Sequence, residues 1–156
     1  MSKRKGVVLI IDDEEEIRES IEILLTSEGL NADTAVDGEA GLKKIEENWY
    51  DAVLLDLMLP GKSGMEVQKA IKKIDPTLPV VIITAIGALE TAVTAIKEGS
   101  YDYITKPWNN EKLVVIVRNA IKQRQLMSEN LQLRSALKER FGYSNIIGKS
   151  EKILKD

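Results

Sequence analysis

Short, uninterrupted apolar runs recur along this chain, and each ends at a polar or charged residue. Residues 7–11, 52–55 and 80–83 are too short to be independent helices and too uniformly apolar for half-exposed strands. They read as strands buried on both faces. Between them the apolar residues fall at helical spacing. Ile17, Ile21, Leu24 and Leu25 lie in 15–27, and Ala40, Leu42 and Ile45 in 39–48. Met65, Val67, Ala70, Ile71 and Ile74 lie in 64–74, and a shorter helix fits 89–97. Weaker strands fit 32–35 and 101–105, and Gly29, Gly99, Pro76 and Pro79 punctuate the elements.

Five strand–helix units with short connections leave few topologies open. They predict an α/β fold, a doubly wound five-stranded parallel sheet of flavodoxin-like order with helices on both faces. In such a sheet the carboxyl ends of the strands share one edge, where ligands bind. Asp12 and Asp13, Asp56, Thr84 and Lys106 stand at the ends of the first, third, fourth and fifth runs, so they are expected to converge there. A simpler reading exists for the first pair: Asp12 or Asp13 could N-cap the following helix, with Glu15 or Glu16 completing a capping box. Capping does not explain why all four strand ends carry such residues.

Three neighbouring carboxylates repel one another and raise one another's pKa, a conflict that a divalent cation relieves. The chain has neither cysteine nor histidine, so thiolate chemistry and a Ser-His triad are excluded. Oxygen-only ligands favour Mg²⁺. Asp56, on the central strand, is then the natural nucleophile for a phosphoryl group. Lys106 and the Thr84 hydroxyl are placed to bind phosphoryl oxygens, and the product is an aspartyl-phosphate. Any phosphohistidine donor must lie on another protein.

The final helix, capped by Asn109 or Asn110, covers the sheet with Leu113, Ile116, Val117, Ala120 and Ile121 and then continues without Gly or Pro to Arg140. Leu126, Asn130, Leu133 and Leu137 are spaced as a heptad seam with a polar residue at one a position, which predicts a coiled-coil dimer. The simpler alternative is a single solvated helix, since two heptads are marginal alone. Residues 112–140 carry a net charge of +5 within a chain of net −3, dispersed enough to read as a solvated face rather than a DNA-binding surface. No apolar run is long enough for a membrane span, and Lys3-Arg4-Lys5 precedes too short a run for a signal peptide. The chain is expected in the cytoplasm.

Four segments together carry a resemblance: Ile11-Asp12-Asp13-Glu14, Leu55-Asp56-Leu-Met-Leu-Pro60-Gly-Lys-Ser-Gly64, Ile83-Thr84-Ala85 and Tyr103-Ile-Thr-Lys106-Pro107. The chain resembles the receiver domain of two-component response regulators over residues 5–122. The resemblance implies a phosphoacceptor switch fed by a sensor histidine kinase. Asp56 would be the phosphoacceptor, Asp13 and Asp56 direct Mg²⁺ ligands, Asp12 a ligand through water and the Met58 backbone carbonyl a third protein ligand. It further implies Thr84 as switch hydroxyl, Lys106 as catalytic lysine, Tyr103 as the aromatic that turns inward on activation, and a cis Lys106-Pro107 peptide.

The later segments narrow the subclass. Glu129-Asn-Leu-Gln-Leu-Arg134 and Ile146-Ile-Gly-Lys-Ser150 are similar to the NtrC group of sigma-54 activators, which implies a linker over 123–141 and the start of an AAA+ ATPase domain over 142–156. No complete P-loop is present, so the chain is expected to be regulatory rather than an ATPase. Ile86 and Trp108 depart from the side chains familiar in this group. Ile86 and Met58 are expected to hinder attacking water and slow dephosphorylation. Two other readings compete: a haloacid-dehalogenase-type phosphatase, weakened because Met58 stands where a second Asp is needed, and a degenerate receiver acting as a scaffold.

Overall fold

The computed structural model describes residues 6–85 and 87–140. Five strands alternate with five helices: β1 (Val7–Ile11), α1 (Glu15–Ser27), β2 (Asn31–Ala35), α2 (Gly38–Glu47), β3 (Ala52–Asp56), α3 (Gly64–Ile74), β4 (Val80–Ala85), α4 (Leu89–Lys97), β5 (Asp102–Lys106) and α5 (Asn110–Arg140). The strands form one parallel sheet in the order β2-β1-β3-β4-β5, the expected doubly wound arrangement.

Burial follows from strand periodicity. Alternate side chains point to opposite faces, so Val8, Ile10, Ala52, Leu54, Val81 and Ile83 join one core with Ile21 and Leu25 of α1 and Leu113, Val117 and Ala120 of α5. Leu9, Ile11, Val53, Leu55, Val80 and Ile82 join a second with Ile45 of α2, Val67 and Ile71 of α3 and Ala95 of α4. The central strands are covered on both sides, which is why they read as continuous apolar runs. The edge strands β2 and β5 are only partly covered and correspondingly mixed.

Two strands run further than their apolar runs. The ladder continues through Asp56↔Ile83 and Thr84↔Thr105 because backbone pairing does not require apolar side chains, so Asp56 and Thr84 belong to strands rather than loops. Helix starts are set by side chains. Asp37 caps α2, Ser63 and Glu66 form a capping box on α3, and Asn109, not Asn110, accepts from the Lys112 amide at the start of α5. At α1 the N-cap position is Glu14 and carries no side-chain cap, so neither Asp12 nor Asp13 serves the capping role.

At the end of the sheet where β1 and β4 begin lies a polar cluster. Arg124 is 1% exposed; its guanidinium donates to both Asp75 carboxylate oxygens, at 2.8 and 2.6 Å, and to the Thr77 hydroxyl. Its charge stands 3.7 Å from the centre of the Trp49 ring. The Trp49 indole donates to Asp51, whose other oxygen accepts the Val7 amide opening β1. The described residues through Arg124 form one compact unit, and those from Gln125 onward belong to a second. In that second unit Leu126, Leu133 and Leu137, the leucines of the heptad seam, are exposed. No described helix is long and apolar enough to cross a membrane. Residues 142–156 and Ile86 lie outside the described residues.

Candidate functional site

The strand ends bring the site together as topology requires. Asp12, just past β1, is fully buried, and Asp56, closing β3, is 3% exposed. Asp56 Oδ1 accepts from the Met58 amide at 2.9 Å and Oδ2 accepts from Lys106 Nζ at 3.1 Å. Lys106 Nζ also lies 3.4 Å from Asp12 Oδ2 and 3.8 Å from Glu14. One ammonium thus serves acids carried at the ends of two different strands.

Gly64 allows the close packing behind Asp56. A Cβ there would stand 2.5 Å from Leu57 Cα and 2.7 Å from the Asp56 carbonyl oxygen, both backbone atoms that cannot swing aside. Gly64→Ala is expected to cost about 2–3 kcal/mol in urea denaturation, because the first turn of α3 must shift. An unchanged midpoint would show that the loop accommodates the methyl.

The electrostatics are unfavourable by construction. Asp12 Oδ1 accepts from the Glu14 amide at 2.8 Å, but Oδ2 is buried with no hydrogen bond, relieved only by the nearby Lys106 charge. Burial, reinforced by the Asp56 charge and opposed by the Glu14 amide and Lys106, pushes the Asp12 carboxyl up to about 6 from 3.8. Burial opposes the Lys106 charge, but the hydrogen bond it donates to Asp56 and the surrounding carboxylates outweigh this and hold the ammonium above its ordinary range.

Because Asp12 binds its proton more tightly folded than unfolded, its contribution favours folding most below the unfolded value and is lost as pH rises through about 6. In metal-free buffer Asp12→Asn is therefore expected to gain stability over wild type, by about 2 kcal/mol near pH 8. The gain should fade towards pH 4. A pH series of urea midpoints checks this, and parallel curves for the two proteins would refute it.

Thr84 is 1% exposed and its hydroxyl has no hydrogen-bond partner. A buried polar group left unpaired is costly, so this hydroxyl is available to a ligand at the sheet edge. Strand alternation puts Thr84 on the face of Val80 and Ile82, where Tyr103, opposite Ile82, packs half-buried against the second core. The Met58 side chain is 74% exposed. Trp108 packs against the first core, and Lys106-Pro107 is cis.

Ligating oxygens of Asp12, Asp13, Glu14 and Asp56 lie within 4.8 Å of one another. The donor set is all oxygen, and Asp12 Oδ2 accepts no hydrogen bond, so the cluster fits a hard divalent cation. Glu14 was not among the expected site residues. Its place directly after Asp12-Asp13 was the available signal.

The response regulator receiver domain model matches residues 8–118, and the chain belongs to that family. It is 42% identical over 150 residues to a putative NtrX-like response regulator of Rickettsia bellii, which covers 95% of this chain and 31% of the relative. It is 40% identical over 129 residues to the nitrogen assimilation regulatory protein NtrX of Azorhizobium caulinodans, covering 81% and 28%. A receiver domain from Clostridium thermocellum superposes with a TM-score of 0.75 at 37% identity, covering 78% of this chain and 98% of that one. NtrX from Brucella abortus, in complex with ADP, superposes at 0.79 with 36% identity, covering 83% and 30%. The chain spans less than a third of the length of these NtrX relatives.

Proposed function

We propose that this chain is the phosphoacceptor switch of a two-component system and that Asp56 is its acceptor. The observation that carries the reading is the buried Asp56 carboxylate, held by the Met58 amide and Lys106 beside an unpartnered Thr84 hydroxyl. In the proposed step an Asp56 oxygen attacks the phosphorus of a phosphohistidine on a partner kinase. The P–O bond forms, the P–N bond breaks, and the imidazole leaves with the electron pair. Lys106 then neutralises one phosphoryl oxygen and Thr84 donates to another.

Asp12, Asp13, Asp56 and the Met58 carbonyl would hold Mg²⁺. Bound there, the ion would offset the carboxylate charge and the charge of the incoming phosphoryl group. Movement of Thr84 towards the phosphate would let Tyr103 turn inward and alter the face formed by β4, α4, β5 and α5. The same change would reset a dimer made through the 110–140 helix. The similarity to NtrX supports an attached sigma-54-type activator with an AAA+ domain in the full-length protein, working in the cytoplasm.

The test is to incubate the protein with a small phosphodonor, with Mg²⁺ or with EDTA, and follow mass and oligomeric state. One phosphoryl group gained only with Mg²⁺ is the expected result. No gain in either condition would favour a scaffold, and gain without any change of assembly or shape would refute the dimer coupling.

A further inference from the structure

Helix α4 is held very differently at its two ends. Along its length only Ala92 and Ala95 are buried and Ile96 is half-buried, while Leu89 and Val93 are exposed, so little more than two methyl groups and part of one larger side chain hold it to the core. By contrast, α5 buries six apolar side chains from Leu113 to Ile121. At about 0.8 kcal/mol per buried CH₂, apolar contact anchors α4 weakly.

Its C-terminal end is pinned instead by polar groups. Gln68 of α3 is 1% exposed and donates from Nε2 to the Ala95 carbonyl at 3.0 Å, and its Oε1 accepts from the buried Ser100 hydroxyl. The same carbonyl accepts from the Glu98 and Ser100 amides at 3.1 and 3.0 Å. Three donors on one carbonyl, two of them from the turn that ends the helix, fix this end in place. A fully satisfied buried network of this kind is rigid, because breaking any member leaves unpaired polar atoms in an apolar core.

The N-terminal end has no such hold. Its N-cap is Ala88, with no side-chain cap, preceded by Gly87 at φ +99°. This loose end follows the strand that carries Thr84.

We propose that α4 is a lever with its pivot at Gln68 and Ser100: the N-terminal turn moves when the site is occupied, while the C-terminal turn stays fixed. Gln68 is a positioning residue and does not touch the phosphoryl group. The proposal deepens the phosphoacceptor reading and rests on it.

Amide hydrogen exchange tests it on the whole chain, with beryllofluoride and Mg²⁺ as the probe. In wild type, exchange in residues 87–91 is expected to change several-fold on addition of the probe, with residues 95–100 unchanged. In Gln68→Leu without probe, exchange in 95–100 should rise at least tenfold, and the probe response should spread along the whole helix. Ser100→Ala, a milder change, should raise the same amides about threefold.

A wild-type response as large at 95–100 as at 87–91 would overturn the pivot while leaving Asp56 as acceptor. Unchanged 95–100 exchange in both variants would overturn it as well. If the probe fails to bind at all, shown by unchanged mass and exchange everywhere, the phosphoacceptor reading falls and the lever falls with it.

Discussion

Asp56→Ala is expected to abolish phosphoryl uptake, with no neighbouring acid taking over. Asp12 is fully buried and one of its oxygens is taken by the Glu14 amide, which leaves it badly placed to substitute as nucleophile. Asp13 is exposed and receives none of the hydrogen bonds that hold Asp56 between the Met58 amide and Lys106. Uptake should fall to the background of the assay. Lys106→Met gives a graded contrast. The acceptor remains, but one positive charge on the phosphoryl oxygens is lost, and the rate should drop about 100-fold without vanishing. Time-resolved intact mass with a small phosphodonor and Mg²⁺ measures both. Wild-type rates for Asp56→Ala would move the acceptor elsewhere.

The largest stability effect is expected at the opposite end of the sheet. Asp75→Ala removes the bidentate partner of Arg124 and leaves a buried guanidinium with Thr77 and the Trp49 ring. Breaking one side of a buried pair costs more than removing the charge, because the remaining ion cannot return to water. We expect a loss of about 3 kcal/mol, or about 10 °C in Tm. Arg124→Met, which fills much of the same volume without a charge, should cost about 1–2 kcal/mol. The order of the two variants is the diagnostic. High salt should change neither much, since a buried pair is poorly screened. Two equal losses below about 0.5 kcal/mol would mean that the pair behaves as a solvated one.

Most of the strand-end site was legible before the fold was seen. The topology follows from the alternation of apolar runs and helical periods, and it carries Asp12, Asp56, Thr84 and Lys106 to one edge. Their chemistry then follows from residue type, because an all-oxygen donor set without Cys or His has few uses. The capping alternative for Asp12 and Asp13 could not be eliminated in advance. It fails because the N-cap position of α1 is Glu14, one residue past Asp13, leaving Asp12 Oδ1 to the Glu14 amide.

Gln68 and Arg124 were missed for a common reason. Each continues a buried stripe at i, i+3, i+4, i+7: Gly64, Val67, Gln68, Ile71 in one helix and Val117, Ala120, Ile121, Arg124 in the other. The period was visible, but only its apolar positions were counted, so Gln68 was passed over and the covered face of α5 was ended at Ile121. By itself the sequence determined the order of the elements, the two apolar cores and the convergence of the strand-end residues, since continuous apolar runs encode burial and burial encodes topology. Only the tertiary structure decided which polar side chains are buried. That depends on partners 27 to 49 residues away, which a local pattern cannot contain: the Ala95 carbonyl and Ser100 for Gln68, and Asp75 and Thr77 for Arg124.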